Sequence, residues 1–68
     1  MKFAKLKKLG NSIKFARKSK GLSQEDLAEL MSKSRNYIGM IERAEINIPV
    51  LTLFQIAKIL EVDIKDLF

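Results

Sequence analysis

Apolar residues recur along this chain at intervals of three and four, and no stretch alternates apolar with polar long enough to make a strand. Phe3, Leu6, Leu9, Ile13 and Ala16 form the first stripe and predict a helix from about Lys5 to Ser19, ended by Gly21 in a left-handed cap. Ser23 is placed to cap a second helix, Gln24 to Met31. Its hydroxyl can accept from the Asp26 amide, while Glu25 and Asp26 complement the positive end of the helix dipole. Leu27, Ala28 and the pair Leu30/Met31 face inward there. A break at Ser32 and Lys33 follows, and Ser34 caps a third helix, Arg35 to Arg43, with Ile38 and Ile41 inward. Ala44 to Ile48 is a loop. Pro49 then stands at the entry of a fourth helix, Val50 to Leu60, where its fixed φ and missing N–H do no harm. Leu53, Ile56, Ala57 and Leu60 are its inward residues, and Asp63 is expected to cap a short fifth helix ending at Leu67 and Phe68. The fold class is all-α: a compact five-helix domain over residues 1–68, with residues 1–8 a basic extension of the first helix.

Composition narrows what such a domain can do. With 68 residues it buries only about 60% of its unfolded surface. It has no cysteine and no histidine, so no disulfide, no thiolate or imidazole metal site, and no imidazole base is expected. An enzyme is disfavoured; no cofactor, metal or small-molecule ligand is implied. No apolar run reaches the ~20 residues of a membrane span, and the lysine-rich start lacks the apolar core of a secretory signal, so a cytoplasmic protein is expected.

The net charge of +5 is unevenly spread. Residues 1–20 hold eight Lys/Arg and no acid, residues 21–31 turn acidic through Glu25, Asp26 and Glu29, and Lys33, Arg35 and Arg43 restore basic character. Such asymmetry suits a polyanion on the basic side, though a solvated lysine-rich face reads the same way.

The second and third helices carry the functional signal. A turn of about three residues can set two short capped helices at about 90–120°, the helix-turn-helix geometry, and small Ala28 allows a close crossing. The third helix then presents Ser34, Arg35, Asn36, Gly39, Met40 and Arg43 outward. Arg35 offers a fork for guanine O6 and N7, Asn36 can pair with adenine N6 and N7, and Met40 can lie against a thymine methyl. Gly39, lacking a side chain, would let the helix approach the bases, and Arg43 is placed for a phosphate. Tyr37 can pack its ring on the domain while its hydroxyl reaches the backbone. The same residues could equally be a solvated helix surface.

The stretch from Leu9 to Leu30, with Leu22-Ser23-Gln24 and Leu27-Ala28, then Ser34 to Arg43 with Ile41-Glu42-Arg43, then Leu53 to Asp63, resembles the lambda repressor/Cro-like (XRE-type) helix-turn-helix regulators. The resemblance spans residues 9–68. Arg35, Tyr37-Ile38, Ile41-Glu42-Arg43 and Asn47-Ile48 are in addition similar to controller proteins of restriction–modification systems. The resemblance implies a transcriptional regulator that binds double-stranded DNA. In it Ser34, Arg35, Asn36 and Met40 fall on base-reading positions, and Gln24, Arg43 and Asn47 on backbone-contact positions. Arg17 and Glu42 match a partly buried ion pair that sets the tilt of the recognition helix. Members usually bind as twofold homodimers on palindromic sites, here through apolar residues of the last helices: Leu51, Phe54, Ile64, Leu67 and Phe68 are the candidates.

The chain also departs from that pattern. Ser32 and Lys33 stand in the turn where a small residue and an apolar one are usual, so a looser turn is expected. Ala44 replaces a glycine after Ile41-Glu42-Arg43, at a cost of about 1 kcal/mol if that site is left-handed. Ile46 stands where controller proteins favour a basic residue, and Phe15 falls on a usually polar face, implying extra packing or a partner surface. Two other functions stay open at this point: a protein-interaction or antitoxin-type module on the same fold, and nonspecific nucleic-acid binding through the basic first helix.

Overall fold

The computed structural model describes residues 4–68, so Lys2 and Phe3 of the expected basic extension and first stripe lie outside the described residues. Four α-helices follow one another, α1 Ala4–Ser19, α2 Gln24–Leu30, α3 Arg35–Glu42 and α4 Val50–Leu60, and a 3-10 helix, Ile64–Leu67, closes the chain. The fifth element is thus a single 3-10 turn, and the Asp63 side chain makes no capping hydrogen bond to it. Four residues are too few to sustain an α-helical ladder, so the tighter i to i+3 pattern prevails.

The starts of α2 and α3 follow from their serines. Ser23 Oγ accepts from the Asp26 amide at 2.9 Å while the Asp26 carboxylate accepts from the Ser23 amide at 2.9 Å, a reciprocal capping box. The Ser23 amide, and after it the Ser23 hydroxyl, hold the Asp26 carboxyl below the usual aspartate range. Ser34 Oγ accepts from the Tyr37 amide at 3.1 Å. Pro49, with φ −58°, leads into α4 with no side-chain cap.

All four α-helices end in the same way. Two residues past α1, α2 and α3, and one past α4, the chain turns left-handed, at Gly21 (φ 74°), Ser32 (φ 55°), Ala44 (φ 60°) and Glu61 (φ 58°). The amide that follows then reaches back across the last turn: Leu22 to the Arg17 carbonyl, Lys33 to Ala28, Glu45 to Met40 and Val62 to Ala57, at 2.8–3.1 Å. This double-bonded cap satisfies carbonyls that would otherwise be orphaned. Only the first site is glycine. The turn at Ser32 and Lys33 is therefore tightly closed rather than loose, with the strain placed on the Ser32 backbone. Lys33 Nζ lies 5.4 Å from the centre of the Tyr37 ring.

Ile13, Leu27, Ile38, Ile41, Ile56, Leu60 and Leu67 are fully buried and form the centre of the core, with Leu9, Ala28, Met31, Leu53 and Ala57 around them. Truncating one of the large members to Ala would cost about 2–5 kcal/mol. Of the pair Leu30/Met31, Met31 enters the core and Leu30 is 57% exposed. Leu6 and Ala16 are only half-buried. Met31 and Arg43, expected as helical residues, are cap residues just beyond α2 and α3. Helix α3 packs on both α1 and α2, while α4 and the 3-10 helix pack against α1 and against each other. The shape that results holds α3 by one face and leaves the opposite one uncovered.

Candidate nucleic-acid interface

Helix α3 has eight residues, and its two faces differ sharply. Ile38 and Ile41 are fully buried, Tyr37 and Met40 are half-buried, and Ser34, Arg35 and Asn36 at the amino end are exposed. Arg35 and Asn36 make no side-chain hydrogen bond within the described residues. Their donors and acceptors are thus open to a ligand. With Gln24, Gly39 and Arg43 they line one concave surface. Asn47 is exposed on the loop between α3 and α4, apart from that surface, and Ile46 and Ile48 on either side of it pack against the core.

The carboxyl end of α3 is built around a buried ion pair. Arg17 Nε donates to Glu42 Oε2 at 2.6 Å and Arg17 Nη2 to Glu42 Oε1 at 3.1 Å, a two-pronged contact between residues 5% and 6% exposed. Arg17 Nη1 donates to the Leu22 carbonyl at 2.7 Å. Gln24 Nε2 donates to Glu42 Oε1 at 3.0 Å. One carboxylate thereby ties together α1, the first residue of α2 and the last residue of α3. Among the described residues no buried side-chain polar atom lacks a partner, the condition under which a buried charge pair orients rather than destabilises. Gln24, half-buried, has one amide hydrogen spent on this node, and the rest of its amide opens on the concave surface.

Gly39 and Arg43 lie against each other. Gly39 does not leave bare helix surface: a Cβ built there would lie 2.7 Å from Arg43 Nη1, because the Arg43 guanidinium lies across it. Arg43 in turn donates from Nε and Nη2 to Glu45 at 3.0 and 3.2 Å. That hydrogen bond, with the attraction of the two charges, raises the Arg43 pKa and lowers that of Glu45. Gly39 therefore gives the Arg43 guanidinium a surface to lie on.

Gly10 carries no expectation from the sequence beyond its place in the motif, yet a Cβ there would stand 2.7 Å from the Glu42 carbonyl oxygen and 2.8 Å from that of Ile41. The backbone of α1 thus rests directly on the end of α3. A glycine on the inner side of an otherwise regular amphipathic helix is the signal that points to it. Tyr37 packs its ring against the core, as its position suggests.

The proposed dimer residues divide. Leu51 is 80% exposed, and Phe54 and Phe68 are also exposed, with Val50 beside them in sequence. Ile64 is half-buried. Leu67 is not available to a partner: it is fully buried and closes the core, as an apolar residue on a terminal turn often does. Phe15, 75% exposed, adds no packing.

The helix-turn-helix family model (HTH_3) matches residues 13–67. Control protein C.SmaI of Serratia marcescens is 39% identical over 59 residues, which are 87% of this chain and 70% of that protein. An uncharacterised HTH-type transcriptional regulator of Methanocaldococcus jannaschii is 38% identical over 58 residues, 85% of this chain and 88% of that one. Among solved structures, the restriction-modification controller protein C.AhdI of Aeromonas hydrophila superposes with a TM-score of 0.90 at 36% identity, covering 97% of this chain and 100% of that one.

Proposed function

The chain belongs to the HTH_3 (XRE-type) helix-turn-helix family, with restriction-modification controller proteins among its relatives, and from that premise we propose that it is a sequence-specific, double-stranded-DNA-binding transcription regulator. Helix α3 enters the major groove. Ser34, Arg35, Asn36 and Met40 meet base edges, Arg35 with its fork on guanine and Asn36 on adenine. Gln24, Tyr37, Arg43 and Asn47 take the phosphate backbone on either side. The chain acts by occupancy of its site and is assigned no enzymatic activity.

The observation that carries this reading is the state of Arg35 and Asn36: both exposed, both without an internal partner, at the open end of a helix whose other end is locked by Arg17 and Glu42. Free planar groups on a fixed rod are what direct readout needs. A single such helix reads few base pairs, so we assign a homodimer formed through the exposed apolar residues Leu51, Phe54 and Phe68 with Ile64 at their edge. Two recognition helices then fall about 34 Å apart, on successive major grooves of a palindrome.

Selection of bound duplexes from a random pool tests the reading. It should return an inverted repeat, and Arg35→Ala should lose about 1–3 kcal/mol of binding while relaxing preference at one base position of each half-site. Equal loss on every sequence would remove Arg35 as a base reader. Absence of duplex binding at low salt would favour a protein-interaction module instead.

A further inference from the structure

Helix α1 carries a polar ridge that the contacts above leave unused. Lys7, Asn11 and Lys14 stand at i, i+4 and i+7 on one face of α1. The three line a cleft with Gln24, Glu42 and Arg43, so this ridge opens beside the carboxyl end of α3. Its position is fixed by Gly10, whose backbone rests on the Ile41 and Glu42 carbonyls. Gln24 and Arg43 belong both to this cleft and to the concave surface holding Arg35 and Asn36. The two surfaces are continuous.

The charges of the cleft do not cancel. Glu42 is its acid, and both its oxygens are taken by Arg17 and Gln24. Arg43 is matched by Glu45. Lys7 and Lys14 are exposed and join no ion pair among the described residues. Two uncompensated ammonium groups, with the Asn11 amide between them, remain. Seven residues of helix separate the lysines by about 10 Å along its axis, a span that covers more than one phosphate of a strand at about 3.4 Å of rise each.

We propose that the cleft between α1 and α3 is a second backbone site, in which Lys7 and Lys14 hold phosphodiesters of the strand flanking the groove that α3 occupies, and Asn11 donates a neutral hydrogen bond between them. The proposal rests on the DNA-reading assignment of α3 and extends its footprint outward past Gln24. The contacts are to phosphate alone and carry no base preference. Lys8 is absent from the cleft; it lines a neighbouring groove with Phe15 that Lys7 and Asn11 also border.

The test is the salt dependence of binding to the duplex selected by the wild-type chain. Each phosphate contact contributes about 0.9 to the slope of log K against log salt. Lys7→Gln with Lys14→Gln should flatten that slope by about 1.8 while the selected sequence stays the same. Lys58→Gln on α4 with Lys65→Gln on the 3-10 helix, both exposed and neither lining the cleft, makes the same change in net charge and should leave the slope at its wild-type value. A neutral methylphosphonate at a contacted position should weaken the wild type and leave the Lys7/Lys14 variant unmoved. An unaltered slope in that variant, or an equal change in both pairs, overturns the site but leaves readout by α3 intact. A wild-type chain with no duplex affinity overturns both. Thermal melts of the variants, whose altered side chains are all exposed, should match the wild type.

Discussion

At its amino end α3 is capped by one side-chain hydrogen bond, Ser34 Oγ from the Tyr37 amide at 3.1 Å, and the exposed side chains that follow, Arg35 and Asn36, make no hydrogen bond among the described residues. At its carboxyl end, eight residues on, the same helix is gripped from every side. Arg17 and Gln24 converge on Glu42, Gly10 lets the α1 backbone lie on the last carbonyls, and Arg43 folds back over Gly39 onto Glu45. The difference teaches how a chain of 68 residues fixes one end of a short helix while leaving the side chains of the other end unpaired. The buried hydrogen bonds are concentrated at the carboxyl end, and the groups at the amino end are left unpaired among the described residues. Weakening the gripped end should disturb both folding and readout, whereas changes at the open end should touch readout alone.

The largest effect is expected at Glu42. Glu42→Ala leaves the Arg17 guanidinium buried without its carboxylate, which costs about 3–5 kcal/mol. A domain of this size holds only about 3–10 kcal/mol in all, so the variant should be largely unfolded or close to it, as read by urea denaturation. Arg35→Ala should leave the same urea midpoint unchanged. A Glu42→Ala unfolding free energy within about 0.5 kcal/mol of wild type would mean that the grip lies elsewhere.

Gly10→Ala comes next. Its methyl would meet two backbone carbonyls, which cannot rotate away as a side chain could, so α1 and α3 must part. Overpacking of this kind costs about 1–3 kcal/mol. Because the displacement is at the root of α3, affinity for the selected duplex should fall by more than the loss of folded protein accounts for. Stability and affinity that fall strictly together would show that α3 keeps its direction.

How much of this comparison is legible in the sequence depends on the end. The open end is almost fully so: Ser34 announces a cap, Ile38 and Ile41 define the buried face by their spacing, and what is left over faces out. The Arg17–Glu42 pair is reachable only through family resemblance, since 25 residues separate the partners. The role of Gly39 is beyond periodicity, and for Gly10 periodicity gives the inner side it stands on but not what meets it there. A helical wheel reports which face a residue occupies but not that a long neighbour such as Arg43 folds over it, nor that another backbone touches it. Leu30 and Met31 are adjacent and about 100° apart on a helix, so either could have been the one turned to the core. The closing turn and buried Leu67 fall on a segment too short to show any period. Phe15 remains an exposed ring on α1 that nothing in the structure explains.

Helix ends supply a smaller, signed effect. Ala44 ends α3 with φ 60°, where Gly21 ends α1 with φ 74°. An L-residue in that region is strained by about 1–2 kcal/mol, and a glycine loses part of that advantage through its freer unfolded chain. Ala44→Gly should therefore stabilise by about 0.5–1 kcal/mol and Gly21→Ala destabilise by about as much. Opposite shifts of melting temperature are the expected readout. Since the Ala44 change tightens the gripped end without touching the open one, base preference should not move. A stabilising Gly21→Ala would show that the left-handed cap is not what closes these helices.

The smallest effect lies in the clasp between Arg43 and Glu45, both of them exposed. The hydrogen bond from Arg43, helped by its charge, holds the Glu45 carboxyl below the usual glutamate range. A depressed folded-state pKa means that the clasp is fully present above the unfolded value and is released as pH falls through the lower, folded one. Between those limits and neutrality nothing should change. Below them Arg43 loses its partner and is free to leave the Gly39 floor. An NMR titration of the Glu45 side-chain carbon should place its midpoint under that of a solvated glutamate, and Arg43→Ala should bring it back. Glu45→Gln should leave global stability nearly unchanged, as expected of an exposed pair, while making the Arg43 guanidinium measurably more mobile. If the Glu45 midpoint ignores Arg43→Ala, the arginine is not clasped in solution, and the carboxyl end of α3 is gripped by the buried node and Gly10 alone.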